Sequence, residues 1–464
     1  MSTAHSVQAL VLGGGVTGLT AARDLAEHFE SVLLLEKAEQ LGGSIGRISI
    51  AGVTVDSGAE AFAVSRDDAL ALIESLGLTE ELIVPARADA RIRSGEDTYL
   101  IPYGILGIPS DLNDPSVLAA VGADAVDIAR KLDAEPWDIT GPISIGTLVR
   151  NRLGAEFVDR LLAPVVGGVH SANPDLLDVD AIVPGLLAVA SKTGSLVSAV
   201  AKMRESAAAA RPGGAIMSLN GGMHSLVDAL AADLNKRGVS ILLSQSAASA
   251  RYVDGRWCVT TEDGAEFTSE ILVVALPSRA ASNLFADDPS LSEPLSQVDT
   301  VDVAIVILVL RAPELAAAPL GSGVLVTGSS AGIEAKASTH ATAKWGWLGQ
   351  RSGEDHVLRF SYGRDGKLPP DLPGLTDQAL ADAKALYGLA SPELVAVQTV
   401  LWPGALVHPG SRHLEAAKLV TEEVAKRSNL AIIGAGLGGN GITGAIRQAH
   451  DAVAGLSVRY FRRD

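Results

Sequence analysis

Near the start of the chain the spacing of apolar and polar positions changes twice. Val7–Leu12 is apolar apart from Gln8, the pattern of a strand buried on both faces. A helical stretch follows, and Val32–Leu35 is a second apolar run that ends at Glu36. Ile48–Ile50 and Val53–Asp56 predict two short strands around an Ala51-Gly52 turn. A helix is expected from about Arg66 to Leu76, then a strand-rich piece ending at Ser110. From about Pro115 to Ala210 apolar residues recur every three or four positions. Pro136, Pro142, Pro164, Pro174 and Pro184 break the run, which predicts a helical insertion. Next come a helix over Ser225–Asn235 and strands near Ser240–Leu243, Ala250–Val253, Trp257–Thr261 and Ile271–Ala275. Val301 to about Phe360 reads as further sheet, with Val303–Leu310 as a buried strand. A helix over Asp377–Tyr387, a strand at Leu430–Ile433 and a helix from Ile442 to about Leu456 complete the pattern.

Between the first strand and its helix stands Gly13-x-Gly15-x-x-Gly18, the order of a dinucleotide-binding βαβ unit. Gly13 permits a tight turn, Gly15 lets the backbone approach a pyrophosphate, and Gly18 lets the helix pack close to the strand. Gly14, Val16 and Thr17 complete a turn whose free N–H groups face the phosphates. Glu36, followed by Lys37, is placed to accept hydrogen bonds from a ribose. Glu39-Gln40-Leu41-Gly42-Gly43, then Ser44 and Arg47, resembles the extended fingerprint of flavoproteins of the amine-oxidase and phytoene-desaturase type, and so favours FAD over NAD.

Gly434-x-Gly436-x-x-Gly439 repeats the glycine spacing, with Asn440, Gly441 and Ile442 after it. Only 25 residues follow Gly439, too few for a second βαβ unit of about 30 residues or more. The cluster is expected to complete the first site from the far end of the chain. Without an NAD site, dioxygen is the simplest electron acceptor.

The net charge of −17 and the absence of a long basic run argue against nucleic acid as a partner. Cys258 is the only cysteine, so no intrachain disulfide forms, which suits a reducing cytoplasm. No signal-peptide pattern opens the chain, and no charge-free apolar stretch reaches 18 residues. Acidic residues are scattered through the helical insertion, among them Asp124, Asp127 and Asp133. A cytoplasmic protein with at most weak membrane contact is expected. No serine–histidine–aspartate spacing, HExxH or CxxC occurs, so no residue stands out as catalytic and no metal is called for.

Further segments carry a family resemblance. Asp56-Ser-Gly-Ala-Glu-Ala-Phe62, Tyr103–Pro109, Leu162-Ala-Pro-Val-Val-Gly-Gly-Val-His-Ser-Ala-Asn-Pro174, Leu219-Asn-Gly-Gly-Met-His-Ser-Leu226, Lys344-Trp-Gly346, Leu358–Arg364 and Trp402–His413 occur in the order found in the FAD-dependent protoporphyrinogen/coproporphyrinogen oxidases of haem synthesis. The likeness is strongest to the Gram-positive coproporphyrinogen III branch. His170 stands where that family has an aromatic residue, Ala59 where it has proline, and Gly441-Ile442-Thr443 where it ends its flavin turn differently.

The resemblance implies an α/β fold with an α+β substrate part. Residues 1–75, 213–288 and 425–464 would form a Rossmann-like FAD domain. Residues 76–112 and 289–424 would form a mixed-sheet substrate domain, and 113–212 the helical insertion. It also implies six-electron oxidation of a tetrapyrrole by dioxygen, with hand-off of the product to a haem-pathway chelatase. Gly58, Ala59, Glu60, Ala61, Ala247, Ala275 and Trp402 would join the glycine turns at the cofactor, with Ala275 near the flavin and Ala247 near adenine. Arg66 and Lys344 would face substrate carboxylates, and His170 and Tyr362 the substrate cavity. An amine oxidase and a non-catalytic carrier are the competing functions on the same fold.

Overall fold

A computed structural model describes residues 5–64, 66–87, 89–210, 216–407, 410–438 and 441–461. Two large sheets and one helical layer organise the chain. In the first sheet the strands run Ser240–Leu242, Val32–Leu35, His5–Leu12, Glu266–Val274, Arg256–Thr261, Ala247–Val253. Leu430–Ile432 pairs parallel with the end of Glu266–Val274. The two strands of the first βαβ unit are parallel, with Leu12 beside Leu35.

Strict alternation along the first strand explains why it is central. Ala9 and Val11 pack on one face against the helices Val16–Leu25, His224–Lys236 and Ile442–Phe461, while Leu10 and Leu12 pack on the other among Phe285, Leu291 and Val420. All four are fully buried or nearly so. Truncating Leu10 to alanine would cost about 2–5 kcal/mol.

The second sheet runs Glu393–Val407, Thr300–Arg311, His356–Tyr362, Ala337–His340, Gly323–Val326, Ala90–Ser94, Asp97–Leu100. Ala304, Val306, Leu308 and Leu310 of its long strand pack against the helix Leu375–Tyr387. Ile305, Ile307 and Val309 face the opposite way, towards Val55 and Trp345. That second face is the one turned to the first sheet's loops.

The helical layer spans Pro115–Ala210. Asp133 anchors it: its carboxylate accepts from Leu196 N–H at 2.7 Å and from Ser195 Oγ at 2.6 Å, capping the last helix. Among the described residues no single helix is long and apolar enough to cross a membrane.

Three expectations change. Ala341–Lys344 and Gly346–Ser352 are short helices inside the stretch read as sheet. They form because the chain must leave the sheet at His340 and re-enter at His356, and Ala341, Ala343 and Lys344 favour helix. Ser411–Ala425, of which the sequence reading takes in only Ser411–His413, is a helix with Ala416 and Val420 buried. The helix expected from Arg66 begins at Asp68, leaving Arg66 exposed before it.

Candidate functional site

The two glycine turns stand on either side of one strand end. Ile433 N–H donates to Val274 O at 2.9 Å and Ala275 N–H to Leu12 O at 2.8 Å, so Ala275-Leu276 lies between the turn at Gly13 and the turn at Gly434. Gly13 has φ +107°, and a methyl group there would lie 2.5 Å from Ala275 O. Ala275 therefore touches the Gly13–Gly18 turn. At Gly18 any side chain would overlap the carbonyl of Gly13, which is why the helix can sit so close. The helix Val16–Leu25 opens at Gly15 with no side-chain cap, so its first N–H groups are left for a ligand. Beside Gly15 there is open space: a methyl group placed there would meet only Gly43 Cα within 4 Å.

The second paired glycines close on the first. Gly42 N–H donates to Gly14 O at 2.8 Å, and Gly15 and Gly42 form an isolated parallel bridge. Glu36 accepts from Gly14 N–H at 2.6 Å and from Ala38 N–H at 2.9 Å, which aims its carboxylate at the turn. Lys37 and Ser44 are exposed, and Val16 and Thr17 are buried. Ala247 opens a strand beyond Gln245, whose N–H donates to Glu36 O at 2.9 Å.

A third group of backbone contacts joins the sheets. Ala59 N–H donates to Ser44 O at 2.8 Å, and Trp402 Nε1 donates to Ser57 O at 3.0 Å. The Trp402 ring lies over Gly46 and Gly58, and a methyl at Gly58 would overlap Ser44 O. Thr443 Oγ1 donates to Ala63 O at 2.7 Å, holding the start of the last helix, with buried Ile442, to the same segment. Gly434 N–H donates to Gln448 Oε1 at 2.7 Å. Gly441 is exposed, and Asn440 lies outside the described residues.

Next to Gly58 the site becomes ionic. Glu60 is paired with Lys344 Nζ at 2.6 Å and with Arg359, whose guanidinium also donates to Gly58 O. Burial raises the Glu60 pKa, but the two cations outweigh it and hold the carboxyl at about 2. The cluster carries one net positive charge and is largely buried. Ala61 packs beside it with Trp345 and Trp347. Motif and spacing do not point to Arg359. Its one signal in the sequence is that it stands as a lone arginine within the apolar strand His356–Tyr362, where an unpaired charge is costly.

The substrate candidates scatter. Lys344 is committed to Glu60, and Arg47 to Asp228 at 2.6 Å on the surface. Arg66 is exposed. His170 ends the helix Ala163–His170, half-buried, before the left-handed Ser171, whose hydroxyl receives the buried ammonium of Lys336. Tyr362 does not face a cavity. It is fully buried, and its hydroxyl donates to Asp382 at 2.9 Å, because strand alternation turns it towards the helix Leu375–Tyr387. Burial and the Asp382 charge push its pKa up.

Residues 16–456 match the family model described as flavin containing amine oxidoreductase. The chain belongs to this family. It is 29% identical over 462 residues to the coproporphyrinogen III oxidase of Mycobacterium tuberculosis, covering 96% of both chains. It is 22% identical to that of Bacillus subtilis, covering 96% and 97%. A solved structure from Exiguobacterium sp. 255-15, which carries a provisional protoporphyrinogen oxidase name, superposes with a TM-score of 0.84 at 25% identity, covering 99% of this chain and 100% of that one. As a flavin-containing oxidoreductase, the chain has a use for the uncapped helix, the open space at Gly15 and the carboxylate of Glu36. Together they fit the phosphates and ribose of a flavin nucleotide.

Proposed function

We propose that this chain is an FAD-dependent oxidase that converts coproporphyrinogen III to coproporphyrin III. The observation that carries the reading is end-to-end similarity to coproporphyrinogen III oxidases, 29% over 96% of both chains. The two glycine turns flanking Ala275-Leu276 support a single dinucleotide site. Gly13–Gly18 would hold the pyrophosphate, Glu36 a ribose, and Gly42–Ser44 with Gly58, Ala59 and Trp402 the flavin end. Gly434 and Gly441-Ile442 would close the site from the other side.

A bound flavin would supply the hydride acceptor for a meso carbon, with dioxygen as the final electron acceptor. Three such rounds would remove six electrons and six protons and consume three dioxygen molecules, giving three of hydrogen peroxide. The part left to this chain would be to orient the macrocycle and exclude water, which is most of what the reaction requires. Arg66, an exposed cation, would meet a propionate. The single cysteine supports a cytoplasmic setting.

The competing substrate is protoporphyrinogen IX. It is favoured by 28% identity to the bovine protoporphyrinogen oxidase over 66% of this chain. The deciding experiment measures oxygen uptake and porphyrin fluorescence with both porphyrinogens side by side. Faster turnover of coproporphyrinogen is expected. Turnover of neither by flavin-loaded protein would refute the proposal.

A further inference from the structure

Two buried cations share one buried carboxylate beside Gly58, which leaves a charge that the fold itself does not neutralise. Glu60 Oε1 accepts from Lys344 Nζ at 2.6 Å, and Oε2 from Arg359. Among the described residues neither cation has a second carboxylate partner. Asp56, four residues before Glu60, is spent elsewhere: it accepts from Met223 N–H at 2.9 Å and from His224 N–H at 3.1 Å. The Arg359 Nε is buried with no partner among the described residues. Burying a charge without its counter-charge is costly, and stability alone would favour a neutral pair. The whole chain carries −17, so a buried positive excess does not follow from composition.

The excess charge is also held in place. Arg359 stands in a strand paired on both sides, opposite Ile307 on one neighbour and Thr339 on the other. Its guanidinium donates to Gly58 O, and the Trp402 ring lies over Gly58. Lys344 Nζ lies 5.1 Å from the centre of the Trp345 ring, and Ser218 Oγ donates to Glu60 O at 2.8 Å. Ala61, Trp345 and Trp347 make the surroundings apolar, so little screens the charge.

We propose that the cluster of Glu60, Lys344 and Arg359 tunes the bound flavin, its net positive charge favouring the reduced form and so raising the reduction potential. The proposal rests on the flavin reading above, in which Gly58 and Trp402 meet the flavin end. Hydride transfer to a neutral flavin adds two electrons and one proton, so the ring system gains one negative charge. A positive charge held nearby stabilises that product more than the neutral reactant. Glu60 has a task here beyond pairing. It limits the local charge to one, where the two cations alone would give two. A charge that served only the pyrophosphate would act on both redox states alike, and one that served only a substrate carboxylate would act only with substrate present.

Spectroelectrochemical titration of the flavin-loaded protein at pH 7, without porphyrinogen, therefore isolates the effect. It compares wild type with Lys344→Met, Glu60→Gln and the double variant, whose cluster charges are +1, 0, +2 and +1 in that order. Lys344→Met keeps the buried pair of Glu60 and Arg359, so the fold is spared. Charges about 10 Å apart at an effective dielectric of about 20 shift an equilibrium roughly tenfold. For a two-electron couple that is about 30 mV. Lys344→Met has the lowest potential, Glu60→Gln the highest, and the double variant returns to the wild-type value. A cluster that only supports the fold would move both single variants the same way and leave the double variant furthest from wild type. Potentials that depart from the charge order overturn the proposal. Where Glu60→Gln does not retain flavin, the return of the double variant from the Lys344→Met value decides. Wild type that holds no flavin overturns the proposal together with the flavin reading, whereas flavin-loaded protein with the wrong order leaves that reading standing.

Discussion

The glycine cradle and the charge cluster lie side by side at Gly58, yet they are built by opposite means. The cradle is backbone against backbone: Gly42 N–H on Gly14 O, Ala59 N–H on Ser44 O, and Gly18 pressed against Gly13. Its tolerance is set by sterics, so one methyl group is too many. The cluster is three long side chains drawn from distant parts of the chain, Glu60, Lys344 and Arg359. Its tolerance is set by charge balance, and shape matters less. A site can thus be rigid in its glycine turns and electrostatically tuned one residue away.

The sharpest way to break the comparison is to add volume to the cradle. Gly18→Val should abolish flavin retention, weakening FAD binding by about 100-fold or more because the overlap cannot relax without moving the helix. Equilibrium dialysis of the purified chain measures this. At buried Val16, two residues earlier in the same helix, a valine already fits, so the steric limit belongs to position 18 and not to the helix as a whole.

Removing the cluster's anion should cost less in flavin binding but more in stability. Glu60→Gln leaves two buried cations facing each other and should destabilise the fold by about 3–5 kcal/mol in urea titrations. Adding Lys344→Met should restore part of that loss. If the double variant is as unstable as the sum of the singles, the three charges do not act as a unit.

Acid should single out the cluster as well. Glu60 has a folded pKa of about 2, below its ordinary 4.5. Its contribution is therefore complete above about pH 4.5 and is lost as pH falls towards 2. That contribution amounts to about 3 kcal/mol by linkage. Wild type should lose stability across this window more steeply than Glu60→Gln, as measured by urea midpoints at stepped pH.

Two smaller effects are expected at single side chains. Arg66→Ala should raise KM for the porphyrinogen severalfold with little change in kcat, as expected for an exposed cation that meets a substrate carboxylate. Tyr362→Phe should leave kcat and KM unchanged and cost about 1 kcal/mol of stability, since only its bond to Asp382 is lost. A fall in kcat for Tyr362→Phe would return that residue to the site.

The cradle is legible in the sequence because each of its requirements is local. A turn that must accept a phosphate demands glycine at fixed spacing, and the flanking apolar runs declare the strands. The Gly434 turn repeats the glycine spacing of the first, and the bonds of Ile433 to Val274 and of Ala275 to Leu12 bring the two turns together. Charge pairing across hundreds of residues has no such local mark. Lys344 and Glu60 each stand out in sequence, but as separate contacts to different ligands, because nothing in their spacing says that they meet. Arg359 is hidden within an apolar strand. Tyr362 is misplaced by a sequence reading because alternation along His356–Tyr362 fixes two faces without saying which one turns to the site.

The last helix has a consequence for the order of assembly. His450 Nδ1 meets Asp24 at 2.5 Å, Thr443 holds Ala63, and Leu430–Ile432 completes the first sheet. During synthesis the glycine turn at residue 13 emerges early, whereas the turn at Gly434 follows more than four hundred residues later. Until then the nascent chain carries half a nucleotide site beside an open apolar strand end. The cradle is thereby completed only once residue 434 and the helix after it have been made, and a chain truncated before residue 430 should fail to retain flavin.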